Sequence, residues 1–166
     1  PDDQFPPQAV TLPAIDLFLY DVRENHDLRS NEWSVSRDSS GGARRSFPLV
    51  RIDCSYLITA WPSRSTPRPT EDEHHLLGET IMALLRYPTL PAAVLQGQLG
   101  SQELPLPTSV LQPGQLQSLG EFWQALGGKP KAALNYTVTI AVQPFEAVEV
   151  PLVTAADTGL KPRPGG

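Results

Sequence analysis

Val50–Ala60 reads "VRIDCSYLITA", and this stretch decides the fold class. Val50, Ile52, Cys54, Tyr56, Ile58 and Ala60 alternate with Arg51, Asp53, Ser55, Leu57 and Thr59. A period of two sends the two sets to opposite sides of an extended chain, so the segment predicts a strand with one buried face. Leu134, Tyr136, Val138, Ile140 and Val142 repeat the pattern against Asn135, Thr137, Thr139 and Ala141. Cys54 sits on the apolar side of the first strand, where it is expected to act as a small core side chain. It is the sole cysteine, so it has no internal disulfide partner, in keeping with a reducing compartment.

A third strand is expected over Ile15–Val22, but there the alternation fails. Leu17, Phe18, Leu19 and Tyr20 place large apolar groups on both faces. A central strand covered on both sides has that pattern, and so does a strand at a subunit interface. The chain then turns polar in "DVRENHDLRSNEW", Asp21–Trp33. From Ser34 to Phe47 it is rich in Ser, Gly and Arg, which reads as a solvated loop.

Two helices separate the later strands. Thr70-Glu71-Asp72-Glu73 has the spacing of a capping box, with Leu77, Ile81, Leu84 and Leu85 following at helical intervals and Pro88 ending the helix. Leu116, Leu119, Trp123 and Leu126 form the stripe of the second, terminated by Gly127-Gly128. Helices this short need a surface to lie on. The order of elements predicts an α+β domain whose helices pack on a mixed or antiparallel sheet.

Eighteen of the 166 residues are proline, about twice the usual ~5%. Their clusters mark connections and divide the chain into a proline-rich arm over 1–13, an α+β domain over 14–143 and an extended tail or linker over 144–166. The chain opens on Pro1 rather than Met, as expected of a processed or truncated amino terminus. No signal peptide is visible, and no apolar stretch is long enough to span a bilayer, so direct membrane insertion is not expected. The net charge of -5 repels phosphate backbones and argues against nucleic acid as a partner.

The search for site chemistry yields no catalytic, cofactor-binding or metal constellation. In "EDEHH", Glu71–His75, the adjacent histidines point about 100° apart on a helix and do not converge on one ion. No serine occupies a Gly-x-Ser-x-Gly elbow, and His26 has no identifiable nucleophile beside it. Gly41-Gly42 and Gly127-Gly128 lack the spacing of a phosphate-cradling loop. Trp123 belongs to a helix stripe and Trp61 to a strand end, which leaves Trp33 for the core or an interface.

Three segments taken in order carry a family resemblance: "IDLFLYDVRENHDLRSNEW", "PLVRIDCSYLITAW" with the capped helix ending "LLRYPTLP", and "LGEFWQALGGKPKAALNYTVTIAV". Together, from about Ile15 to Val142, they resemble the amino-terminal domain of tube-terminator (cap) proteins of phage-tail-like contractile injection systems. The resemblance implies a tail-terminator-like fold and a structural, non-enzymatic role without cofactors. It implies a six-fold ring of this chain on the end of an inner tube, limiting tube length and joining the inner-tube protein to the sheath protein. The setting implied is an injection particle assembled in the bacterial cytoplasm.

Members of that family carry a helix upstream of the first strand, whereas this sequence opens on "PDDQFPP". One face of Leu17–Tyr20 is therefore expected against the domain's own helices, the other against such a helix or an adjacent subunit. The interface candidates are Leu17, Phe18, Leu19, Tyr20, Arg23, Glu24, Asp27, Arg29 and Trp33. The mixed charges of the turn suit charge-matched docking, and a solvated turn is the competing reading. The alternatives to a terminator are a monomeric adaptor or ligand-binding α+β domain with a pocket around Trp33, and more distantly a small hydrolase.

Overall fold

The Val50–Ala60 segment runs through the centre of a four-stranded antiparallel sheet in the computed structural model. The structure describes residues 10–37, 42–102, 104–113, 118–125, 127 and 130–150. In chain order the elements are strands β1 (Ala14–Glu24), β2 (Ser34–Arg37), β3 (Ala43–Ser46) and β4 (Val50–Trp61), and helix α1 (Pro69–Leu85). Two 3-10 turns follow at Ala92–Val94 and Gly97–Ser101, then β5 (Thr108–Val110), α2 (Leu119–Ala125), β6 (Leu134–Val142) and β7 (Val148–Val150). One sheet has the order β1-β4-β6-β5; a second, of three strands, has the order β2-β3-β7. The chain divides into two compact units, the first holding the larger sheet and both helices, the second the smaller sheet.

In the first unit the register pairs Ile58 with Leu134, Tyr56 with Tyr136 and Cys54 with Val138, so the apolar sets of β4 and β6 share one face. Ile58, Ala60, Leu134, Tyr136 and Val138 form the core there with Leu77 of α1 and Leu106. Leu76, Ile81 and Leu84 of α1 pack against it, while Leu85, expected on the same stripe, is exposed. Burial pushes the Cys54 thiol up from its ordinary range.

The opposite face departs from the expected solvent-facing side. Leu57 and Thr59 are 1% and 2% exposed, and Arg51, Ser55 and Thr139 are buried as well. The hydroxyls lie inside because each has a partner, whereas Arg51 is only partly satisfied, its Nε having none. Ser55 Oγ and Thr137 Oγ1 are 3.1 Å apart, and Thr139 Oγ1 donates to Asp53 Oδ1 at 2.6 Å. Arg51 Nη2 donates to the Pro105 carbonyl at 3.3 Å. A buried hydroxyl with a cross-strand partner avoids most of the desolvation penalty, so a polar residue alternating in a strand need not face water.

The helix start also differs from expectation. Pro69 takes the first helical position, Arg68 is the N-cap, and no side chain caps the amides, so Thr70 lies inside the helix rather than at a capping box. Glu73 is used elsewhere. Lys131 Nζ sits 2.6 Å from Glu73 Oε2 and 4.3 Å from the centre of the Trp61 ring, tying α1 to the end of β4 and the approach to β6.

In α2, Trp123 is buried and the Phe122 ring lies 5.6 Å from that of Phe18. Leu116, Leu126 and Gly128 of the expected second helix lie outside the described residues, as do most of the proline-rich arm, the tail beyond Val150, and Gly41. Gly127 has φ +68°, the left-handed conformation that ends a helix cheaply only at glycine.

Residues 34–47, expected as a solvated loop, instead supply two strands: β2 and β3 pair from Ser34↔Ser46 to Arg37↔Ala43. β7 adds to β3, pairing Arg45 with Val148. Ser and Arg alternation gives no apolar period, so the pairing was not visible locally.

Candidate assembly surface

β1 lies at the edge of the larger sheet, which removes the central-strand explanation for its doubled apolar pattern. Its partner β4 pairs Leu17 with Ile58, Phe18 with Leu57 and Leu19 with Tyr56. Leu17 and Leu19 therefore project from the same face as the α1-covered core, and Phe18 from the other. α1 lies over β4 and β5. Leu17 remains 50% exposed and Leu19 45%, and Ile15 and Val22 on the same face are exposed too. On the opposite face Phe18 meets Phe122, and Tyr20 Oη donates to Asn135 Oδ1 at 3.1 Å.

The two edges of this sheet are treated differently. Beyond β5, Thr139 N–H donates to the Pro107 carbonyl at 2.9 Å, and the Gln102 side-chain amide both donates to and accepts from the backbone of Ala141. Gln102 thus stands in for a strand and closes the edge of β6. Among the described residues, β1 has a strand on one side only. An open edge with apolar side chains is the feature that soluble monomers normally suppress.

The polar end of β1 and its turn are tied by several side-chain bonds. After a register shift between Leu19 and Asp21, strand alternation puts Asp21 and Arg23 on one face. Arg23 Nε and Nη2 donate to the two Asp21 oxygens at 2.6 and 2.9 Å, and this bond holds the Asp21 carboxyl below its ordinary range. Asn25 Nδ2 donates to Asp53 at 3.1 and 3.0 Å, and its own carbonyl oxygen accepts from Leu28 N–H at 2.9 Å, forming the turn. Arg29 lies 3.5 Å from Glu24. Asp27 is exposed at the tip. The candidates from Leu17 to Arg29 therefore share one edge and its following turn.

Trp33 belongs to the second unit. Its ring lies 4.0 Å from that of Phe47, which lies 4.7 Å from Phe145, and the Arg45 guanidinium lies over the Trp33 ring, 3.5 Å from its centre. Phe47 and Phe145 were missed by sequence reasoning. They sit beside prolines far apart in the chain, and only the pairing of β3 with β7 brings those segments together. Ile15 and Val22 were also missed as candidates, although both fall within the predicted strand.

No group of three His, Cys, Asp or Glu side chains is placed to hold a metal among the described residues. His75 Nε2 pairs with Glu79 Oε1 at 3.3 Å on the outer side of α1, where a shallow cavity of ≈ 530 Å³ is lined by His74, His75, Gly78, Glu79, Met82 and Arg86. No helix among the described residues is long and apolar enough to cross a membrane.

Residues 1–155 match the family described as the Pvc16 N-terminal domain. The chain belongs to that family. Two solved structures are similar to this Pvc16 N-terminal domain. One is the sheath/tube terminator of an extracellular contractile injection system, PVC, in its extended state, at 32% identity and TM-score 0.62 over 92% of this chain. The other is the tube-terminating cap of the anti-feeding prophage, at 32% identity and TM-score 0.64 over 91%. This chain covers 52% and 50% of those two, so it spans about half the length of each. No curated protein matches it. The α+β architecture with an antiparallel sheet agrees with the fold expected from the sequence.

Proposed function

We propose that this Pvc16 N-terminal domain is a structural subunit of the cap that closes the inner tube of a contractile injection system. In this reading six copies form a ring on the last tube layer, stop further tube addition and join the tube to the sheath. The ring works inside a particle assembled in the bacterial cytoplasm, and its role is structural rather than enzymatic. The observation that carries the reading is the open, apolar edge of β1 in a chain whose solved relatives are a tube-terminating cap and a sheath/tube terminator.

Leu17, Phe18, Leu19 and Tyr20 form the strand part of the contact, and Arg23, Glu24, Asp27 and Arg29 its charged rim. Trp33, in the second unit, is a candidate for a contact of its own. A ring subunit must present complementary surfaces to two neighbours, and permanent contacts of that kind commonly bury more than ~2,000 Å² with a high apolar share. The test is the native mass of the protein at micromolar concentration, alone and mixed with its tube protein. A closed multimer, or one that forms on tube ends, is the expected result. A monomer under both conditions overturns the ring and favours an adaptor.

A further inference from the structure

Among the described residues the smaller sheet also ends in an open strand. β2 is terminal in the order β2-β3-β7, and all four of its residues are exposed, Val35 at 61%. The stretch of β1 before its register shift is equally undefended. It has no lysine and no proline between Ala14 and Tyr20, and its one charge is Asp16.

The charges are complementary. Of the acids on β1, Asp21 is engaged by Arg23 and Glu24 by Arg29. Asp16 has no ion-pair partner among the described residues, and burial pushes its carboxyl up from the ordinary range. Arg37 of β2 likewise has no ion-pair partner among the described residues.

We propose that β2 of one copy adds to the open edge of β1 in the next copy, antiparallel, with Val35 opposite Phe18 and Arg37 opposite Asp16. This rests on the ring reading and specifies its contact. In that register the side-chain alternation places Val35 and Arg37 on the face of Phe18 and Asp16, giving one apolar pair and one ion pair. Ser34 and Ser36 stand opposite Leu19 and Leu17, small enough to leave the neighbouring face free for a further covering element. A one-residue slip is disfavoured either way: one sets Arg37 beside Ile15 and Asp16 opposite Ser36, and the other sets Arg37 beside Leu17 and takes Asp16 past the end of β2. Because the edges that meet are different surfaces of the chain, the contact is head-to-tail, the kind a ring requires, and not that of a two-fold dimer.

The proposed pair Leu17 and Ser36 has strand-opposed Cα atoms within disulfide reach. In the whole encoded protein carrying Cys54→Ser, Leu17→Cys with Ser36→Cys is expected to give, on mild oxidation, a ladder of covalent multimers up to the ring. Each single variant stays monomeric on a non-reducing gel. A multimer of unchanged native mass with no ladder overturns the strand addition and leaves the terminator reading standing; a monomer by native mass both alone and mixed with the tube protein overturns both. As a second readout, Asp16→Arg and Arg37→Asp are each expected to weaken association about tenfold, with most of the loss recovered when the two are combined. A combined variant no better than the singles contradicts the pairing.

Discussion

Leu57→Ala is expected to destabilise the domain by about 2–5 kcal/mol, as much as Ile58→Ala, although adjacent strand residues face opposite ways. Leu57 is 1% exposed on the face that alternation alone assigns to solvent, and Ile58 is 1% exposed on the other. Both are closed off from water, so truncation leaves a cavity on either side of β4. Thermal unfolding followed by circular dichroism reads this as a fall in Tm of roughly 10 °C for each variant. An effect of Leu57→Ala within about 0.5 kcal/mol, the usual range of a surface change, contradicts burial of both faces.

Leu17→Lys combined with Leu19→Lys is expected to abolish ring formation while leaving the fold intact. Both side chains are about half exposed within the chain, so their replacement removes little of its own core. In an interface the two ammonium groups must be desolvated without partners, which weakens association about a thousandfold or more. Native mass spectrometry is expected to find a monomer with an unchanged unfolding midpoint, and Leu17→Ile with Leu19→Ile to keep the multimer. A charged double variant that still assembles normally means that this face looks onto solvent in the particle.

The residues differ in how much of this they disclose. β4 and β6 are legible because each keeps an apolar set at every second position, and their register follows from burying both sets against α1. The opposite face of β4 was not legible. Ser55 and Thr139 carry groups that read as solvent-facing, and only their cross-strand partners explain why they lie inside. β1 shows the reverse case. Its doubled apolar pattern fits a central strand and an interface strand equally well, and position in the sheet, a non-local property, separates them. At α1, Thr70 and Glu73 have capping-box spacing, but Pro69 starts the helix two residues earlier and Lys131 engages Glu73 from 58 residues away. β2 and β3 have too few apolar residues to announce a hairpin. Their strands are set by backbone pairing, including that with β7. Of the candidate site, the run Leu17–Arg29 was legible as one strand and its following turn, whereas the Arg45–Trp33–Phe47–Phe145 stack joins segments about 100 residues apart.

The most direct test of the terminator reading is the length of inner tubes in particles from cells lacking this protein, measured by negative-stain electron microscopy. The account predicts tubes of irregular, extended length with sheaths that detach from their ends, and normal lengths when the wild-type chain is supplied again. Tubes of unchanged length with intact, sheathed ends contradict it.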